Sequence, residues 1–142
     1  MNKNTFNASY QEYLEIILRA TNDKEKHGTP EYVSNIEIAT AMNVKPPSVT
    51  EFLLKLQREG LIEYKKRLGV KLTQKGRDLA NKVLENHHLL ETFFTKVLEL
   101  DDASLKHRLA CAIEHDLISE PNLVNALKIS IQKAEAAASK QP

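Results

Sequence analysis

The chain of 142 residues is 42% hydrophobic and 27% charged, with a formal net charge of +1 and a single cysteine. These proportions are typical of one globular domain, or of two small domains that share a core. No run approaches the roughly 18 apolar residues that a membrane span needs, and the first residues contain no apolar signal segment. We therefore expect a soluble cytoplasmic protein without a membrane partner, whose lone cysteine forms no intrachain disulfide.

Charge is unevenly distributed along the chain. Residues 45–77 contain nine Lys and Arg residues but only three acids, a net charge of +6, so the remaining residues together carry −5. A basic middle between acidic flanks predicts that one part of the protein meets a polyanion while another part has a different role.

Two capping boxes mark the first helices. Ser9 followed by Glu12, with apolar residues at helical spacing behind them, predicts a helix from about residue 9 to residue 23. After a polar loop, Ser34 and Glu37 form a second box, which predicts a short second helix.

A third helix and a hairpin follow. Pro46 or Pro47 is expected in the first turn of this helix, where a missing N–H costs nothing, and Gly60 ends it. The next stretch, "LIEYKKRLGVKLT", alternates with a period of two around a "KRLG" turn and predicts two antiparallel strands. Together these elements predict a winged helix-turn-helix domain, which we place at residues 1–76.

Basic residues on the predicted wing favour DNA binding, because the wing and the tip of the third helix would face phosphates. Polar residues early in that helix are candidates for the groove, and a proline there could touch a thymine methyl group. The candidate DNA contacts are Lys45, Pro47, Ser48, Thr50, Glu51, Lys65, Lys66, Arg67 and Lys71. A solvated basic surface on a structural domain remains the alternative.

Residues 77–142 predict a second domain that is helical throughout. His87 interrupts an apolar helical stripe, with Glu91 one turn beyond it. In the segment "CAIEHDL", Cys111 lies three and four residues ahead of a glutamate and a histidine. The residues that would share one helix face there are His107, Cys111, Glu114 and His115. Imidazole, thiolate and carboxylate groups at these separations can converge on one cation, although a packed thiol and a core histidine are alternatives.

The order of these elements, with "HHLLE" at residues 87–91 and "CAIEH" at residues 111–115, resembles the diphtheria-toxin-repressor family of iron- and manganese-dependent transcription regulators. The resemblance extends over about residues 8–130. It implies a homodimer, joined through the second domain, that binds palindromic operator DNA when loaded with a divalent transition metal and represses metal uptake genes. Iron-dependent members add an SH3-like third domain, for which we expect no room here.

The resemblance also implies two sets of metal ligands in the manner of the iron-dependent branch. The residues that match its primary site are Glu12, Cys111, Glu114 and His115. The residues that match its ancillary site are His87, Glu91 and His107.

Manganese-dependent members of the family use two acids of the first helix, which match Glu12 and Glu15, and a histidine that matches His87. They have a glutamate at the position of Cys111, so this chain is a hybrid of the two branches. A thiolate shifts metal preference towards Fe²⁺, Co²⁺, Ni²⁺ or Zn²⁺ and away from Mn²⁺. We expect Fe²⁺ or Mn²⁺, with Zn²⁺ as a further candidate. The alternatives are a capping role for Glu12 and a solvated charge for Glu15.

We expect the metal to join the first helix to the second domain, which would fix the two recognition helices of a dimer about one DNA turn apart, ~34 Å.

Two alternatives remain: a winged-helix regulator that ignores metal or responds to a small organic ligand, and a dimeric scaffold for another protein. The sequence contains no His-Glu-x-x-His motif, Ser-His-Asp set or glycine-rich phosphate loop, so we do not expect an enzyme.

Overall fold

The computed structural model describes residues 8–28 and 32–140, which form six α-helices and one two-stranded antiparallel sheet. In chain order the elements are α1 (Ala8–Lys26), α2 (Asn35–Met42), α3 (Pro46–Arg58), β1 (Ile62–Lys65), β2 (Gly69–Leu72), α4 (Gln74–Lys96), α5 (Ala103–Ile113) and α6 (Pro121–Ser139). A short 3-10 helix, Asp116–Ser119, lies between α5 and α6. The predicted fold class, a winged helix-turn-helix followed by a helical domain, is confirmed.

The chain divides into two compact units, one ending at Asn81 and the other beginning at Lys82. This division falls inside α4, as does the domain boundary that we predicted after residue 76. Within residues 8–28 and 32–140, none of the helices has both the length and the apolar character needed to cross a membrane.

The start of α1 differs from the prediction. Because α1 begins at Ala8, Ser9 lies inside the helix, and the capping box predicted for Ser9 and Glu12 is wrong. A capping residue must precede the first helical turn, where its backbone is still extended.

The second capping box is confirmed. The Ser34 hydroxyl accepts a hydrogen bond from the Glu37 N–H, and the Ser34 N–H donates to the Glu37 carboxylate at 2.7 Å. Asn43 then adopts a left-handed conformation, with φ of 56°, which ends α2. The third helix begins at Pro46, as predicted, where its missing N–H is not needed.

Aromatic side chains pack α1 against α3. The Phe52 ring stacks on Tyr13, with centroids 4.2 Å apart, and meets the edge of Tyr10 at 5.1 Å. The fully buried apolar residues of α3 are Val49, Leu53 and Leu56. These contacts turn one face of α3 towards the core and leave the opposite face in solvent.

The predicted hairpin is confirmed as β1 and β2. Ile62 pairs with Leu72 and Lys65 pairs with Gly69, and a further bridge joins Val33 to Val70. Gly69 has a φ of +113°, and a Cβ atom there would lie 2.1 Å from the Val33 carbonyl oxygen. Only glycine therefore allows this close approach.

The second unit has its own core, between α4, α5, the 3-10 helix and α6. Its buried residues are Leu90, Phe94, Ala110, Leu117 and Leu127. Asp102 caps the start of α5, since its carboxylate accepts a hydrogen bond from the Leu105 N–H. An ion pair of 2.5 Å between Lys96 and Glu135 also joins α4 to α6.

The end of α5 comes earlier than predicted. Glu114 is its C-cap residue and His115 follows outside the helix, although both keep right-handed helical backbone angles, with φ of −52° and −70°. The chain tightens into the 3-10 helix, which buries Leu117 in the core. Pro121 begins α6, and the residue ahead of it is Glu120, since Ser119 belongs to the 3-10 helix.

Candidate metal centre and nucleic-acid interface

The outward face of α3 carries part of the predicted DNA contact. Pro47, Ser48 and Glu51 are exposed, and Lys45 is the exposed residue that precedes the helix. Side chains near the N-terminus of a recognition helix are the ones that reach base edges in a major groove. The structure therefore leaves all four residues available to DNA.

Thr50 differs from these neighbours because its hydroxyl bonds within the domain. Its Oγ1 accepts a hydrogen bond of 2.8 Å from the Asn35 amide and donates one of 3.3 Å to the Pro46 carbonyl. These bonds join α2 to α3. In this structure Thr50 fixes the position of α3 rather than presenting a free hydroxyl.

The wing carries the other predicted contacts. Lys66 and Arg67 are exposed in the turn, and Lys71 is half-buried on β2. The Lys65 ammonium lies over the Tyr32 ring, 5.5 Å from its centroid, and a hydrogen bond with Tyr32 raises the pKa of Lys65 above its ordinary value. The wing thus presents positive charge at positions suited to phosphates.

Three further residues of α3 were not among the predicted contacts. Leu54, Lys55 and Arg58 are exposed, and they follow Glu51 by three, four and seven residues. That spacing keeps side chains on one helix face and could have identified them. Leu54 is 44% exposed and places an apolar group on the outward face.

In the second unit, His87 is held between two carboxylates. It is 3% exposed; its Nδ1 lies 2.5 Å from Glu114 Oε2, and its Nε2 lies 2.9 Å from Glu91 Oε1. A neutral imidazole has one N–H and one lone pair, so it cannot donate to both carboxylates. Either an added proton or a cation is needed to satisfy this arrangement.

His107 and Cys111 complete a group of possible ligands. Cys111 Sγ lies 3.5 Å from His107 Nε2 and 3.9 Å from His87 Nδ1, and His107 Nδ1 lies 3.3 Å from Glu91 Oε1. One ligand atom from each of His87, His107 and Cys111 lies within 4.8 Å of the others. Two imidazoles and a thiolate at this spacing, with carboxylates beside them, fit a divalent transition metal.

Apart from Glu12, the two ligand sets expected from the resemblance meet in one network. Glu91, His87 and His107, the ancillary set, are in contact with one another. Cys111 joins that group, and Glu114 links it to His115, whose Nε2 lies 3.5 Å from Glu114 Oε1. Six of the eight predicted ligands therefore form one continuous cluster, the His–Cys cluster, defined by His87, Glu91, His107, Cys111, Glu114 and His115.

Glu91 is electrostatically suited to this cluster. Burial raises its pKa, but hydrogen bonds with His87 and His107, and the charges of those rings, outweigh burial and lower the pKa below its ordinary value. The carboxylate is therefore favoured in its ionised form, the form that binds metal.

The other two predicted ligands, Glu12 and Glu15, belong to the first unit. Glu12 is exposed on α1. Glu15 is 8% exposed, and its carboxylate forms an ion pair of 2.6 Å with Arg19 one turn along the helix.

A basic winged helix-turn-helix followed by a helical unit with a histidine–cysteine–carboxylate cluster defines a DNA-binding regulator of the metal-responsive class. Two family profiles match the chain: iron dependent repressor, N-terminal DNA binding domain, over residues 5–70, and iron dependent repressor, metal binding and dimerisation domain, over residues 73–135. The chain belongs to the iron dependent repressor family. This is a family of transcriptional repressors and not of enzymes, as predicted.

Known relatives support the assignment. The chain is 32% identical over 125 residues to an uncharacterized HTH-type transcriptional regulator of Methanocaldococcus jannaschii, covering 88% of this chain and 94% of the relative. Similar solved structures include the manganese regulator SloR, at 30% identity, and ScaR with bound Zn²⁺, at 29%, each with a TM-score of 0.67. Both alignments cover 87% of this chain and 53% of the other, so the chain spans about half the length of these solved proteins.

Proposed function

We propose that this protein is a homodimeric repressor that binds palindromic operator DNA when it is loaded with a divalent transition metal, and that it controls metal uptake genes. The observation that carries the proposal is the convergence of His87, His107 and Cys111 within the domain that matches metal binding and dimerisation. The basic wing and the exposed face of α3 support contact with duplex DNA. We place its action in the cytoplasm, with that DNA.

The donor set favours a transition metal of intermediate softness. Imidazoles and a thiolate suit Fe²⁺ and Zn²⁺, whereas the accompanying carboxylates suit Fe²⁺ and Mn²⁺. SloR is named as a manganese regulator, and the ScaR structure contains Zn²⁺. We propose Fe²⁺ or Mn²⁺ as the physiological ion, with Zn²⁺ as a further candidate.

The residues of the His–Cys cluster have distinct roles in this proposal. A bound metal supplies positive charge that offsets the buried carboxylates. His107 and Cys111 offer ligand atoms from one face of α5, and His87 offers a ring nitrogen from α4. When one His87 nitrogen binds the metal, the other ring N–H would donate to a single carboxylate, that of Glu91 or Glu114, as commonly occurs beside a ligating histidine.

In the DNA-binding unit, α1 is the element through which a metal could act on α3. Tyr10 and Tyr13 of α1 pack on Phe52 of α3, and Glu12 and Glu15 lie on the same α1 helix. We propose both acids as further ligands, as the family resemblance implies. Metal binding that fixes the position of α1 would then also fix α3 through the aromatic contacts. The Glu15 carboxylate would leave its ion pair with Arg19 and bind the metal instead.

DNA binding with and without metal tests the proposal. Operator sequences would first be selected from a random duplex library with the Fe²⁺-loaded protein under anaerobic conditions. Fluorescence anisotropy at one fixed salt concentration should then show affinity about 5- to 150-fold tighter with Fe²⁺ or Mn²⁺ than with a chelator. Equal operator affinity under the two conditions would contradict it.

A further inference from the structure

A second candidate binding site is a cleft between α4 and α6. It has a volume of about 560 Å³, within the range of pockets that hold small organic molecules. The residues that line it on α4 are Lys82, Glu85, Asn86, His88, Leu89 and Thr92, and those on α6 are Val124, Lys128, Ile131 and Gln132. None of them belongs to the His–Cys cluster.

Asn86 gives this cleft an unsatisfied hydrogen-bond donor. The residue is 3% exposed, and its Nδ2 is the one buried side-chain nitrogen or oxygen without a hydrogen-bond partner in the described part of the chain. Leaving such a donor unpaired costs folding free energy, so a buried amide of this kind usually has an acceptor in the functional state. No residue among 8–28 and 32–140 supplies that acceptor, which leaves the Asn86 amide available to a ligand.

Two lysines place positive charge at the same cleft. Lys82 on α4 and Lys128 on α6 are exposed, and neither forms an ion pair with a carboxylate among residues 8–28 and 32–140. Glu85 contributes the single opposing carboxylate. The cleft thus contains one amide donor and two positive charges but only one negative charge, a balance that favours an anionic ligand.

The remaining surface of the cleft is apolar. Leu89 and Val124 are half-buried against the core of the unit, and Ile131 is 8% exposed. An apolar floor beneath a polar rim suits a ligand that has one charged end and a hydrocarbon body. We propose that this cleft binds a small aliphatic carboxylate, whose oxygens accept from Asn86 Nδ2 and pair with the lysines while its chain covers the apolar floor.

Isothermal titration calorimetry with octanoate and the full-length protein tests the proposal, with 1-octanol as the neutral probe. Octanoate should bind with one site per chain, at least about tenfold more tightly than 1-octanol, because only the carboxylate uses the amide and the lysines. Equal affinity for the two probes, or no octanoate binding, would overturn the proposal.

Two variants test the named residues. Asn86→Leu should weaken octanoate binding at least about tenfold, while the free energy of unfolding stays equal or rises because the unpaired buried donor is gone. Lys128→Gln should weaken binding about two- to fivefold, as expected for an exposed ion pair. Lys133→Gln, an exposed lysine of α6 outside the cleft, is the matched control and should leave the affinity unchanged.

Two further measurements distinguish carboxylate binding in the cleft from an effect on the metal site or on dimerisation. Metal content and metal affinity should be the same in Asn86→Leu as in the parent, since the cleft and the His–Cys cluster share no residue. Sedimentation should also show the same oligomeric state in both proteins. A variant that dissociates without changing octanoate affinity would assign the cleft to contact with a second copy and overturn the proposal.

Discussion

His87 is a buried side chain of the metal-binding unit that is held from both sides. Both of its ring nitrogens face carboxylates, and Glu114, one of these partners, is only 2% exposed. Removing one member of such a buried group leaves the others unpaired at a high energetic cost. The proposed metal ligands are therefore also structural residues, and substitutions within the cluster must be compared by metal affinity as well as by stability.

Cys111 offers the cleanest test of ligation, because it is half-buried and small. Titration of the Cys111→Ser variant with Co²⁺ should lose the sulfur-to-metal charge-transfer absorption of the parent, and affinity should fall at least about tenfold. The control is His27→Gln, an exposed histidine of α1. An unchanged Co²⁺ spectrum in Cys111→Ser would remove Cys111 from the metal site.

Glu37 should make stability depend on pH. Burial raises its pKa, but hydrogen bonds with Lys24 and Ser34 hold the pKa below its ordinary value of 4.5. Because the folded-state pKa is the lower one, this carboxylate stabilises the fold above pH 4.5, and that contribution is lost as pH falls through the folded-state value.

We therefore predict that Glu37→Gln lowers the free energy of unfolding at neutral pH, by less than about 1 kcal/mol since the side chain is partly exposed. Thermal unfolding of the variant and the parent between pH 3 and pH 7 checks this, and the two curves should converge at the acid end. A constant difference across that range would contradict the role of the Glu37 charge.

The types of residue at the metal site could be read from the sequence, but their arrangement could not. The spacing of His107 and Cys111 on one helix predicts that they are neighbours, and they are. The position of His87 between two carboxylates depends on how α4 packs against α5, which is set by the buried residues of the second core. Glu114 takes part from just beyond the end of α5, and periodicity does not predict where that helix stops.

At the level of elements, local signals predicted the starts of helices better than their ends. Ser34 and Pro46 each mark the start of a helix as expected, because capping and proline geometry act over a few residues. The end of α5 depends on tertiary packing, which draws Leu117 into the core through a 3-10 helix. The box at Ser9 failed because the same residues also fit the interior of a helix.

The wing depends on the close approach of β2 to the strand-like segment at Val33. Gly69→Ala would add a Cβ that collides with the Val33 carbonyl oxygen, in addition to straining the backbone at positive φ. Gly60→Ala is the matched control, since Gly60 also has positive φ but no atom within 4 Å of an added Cβ.

We predict that Gly60→Ala costs about 1–2 kcal/mol of unfolding free energy and that Gly69→Ala costs more and also weakens DNA binding. Urea unfolding and anisotropy on the selected operator measure the two effects. Equal losses of stability in the two variants would show that the contact with Val33 contributes nothing.

The exposed turn of the wing should contribute charge without base preference. Replacing Lys66 by glutamine is expected to weaken binding to all duplexes alike and to reduce the slope of log affinity against log salt by about 1 per subunit, or about 2 for the proposed dimer. Anisotropy at several salt concentrations, on selected and on random duplexes, checks this. The control is Lys133→Gln, in the other unit, and a salt slope that Lys66→Gln leaves unchanged would exclude a phosphate contact at Lys66.

For the whole molecule, the uneven charge of the sequence corresponds to a division of function between two compact units. The basic residues belong largely to the unit that ends at Asn81, and the His–Cys cluster belongs to the unit that begins at Lys82. The order of the elements and the two short motifs predicted the family. Relative affinities for Fe²⁺, Mn²⁺ and Zn²⁺ depend on ligand geometry and metal supply, which composition does not determine.

If metal regulates operator binding, then the metal and the operator DNA must each change the protein's affinity for the other by the same factor. The most direct test is a calorimetric titration of the protein with Mn²⁺ in the presence and absence of saturating operator duplex. We predict that the duplex tightens Mn²⁺ binding by the same factor, about 5- to 150-fold, by which Mn²⁺ tightens operator binding. An affinity for Mn²⁺ that the operator leaves unchanged would contradict metal-dependent regulation.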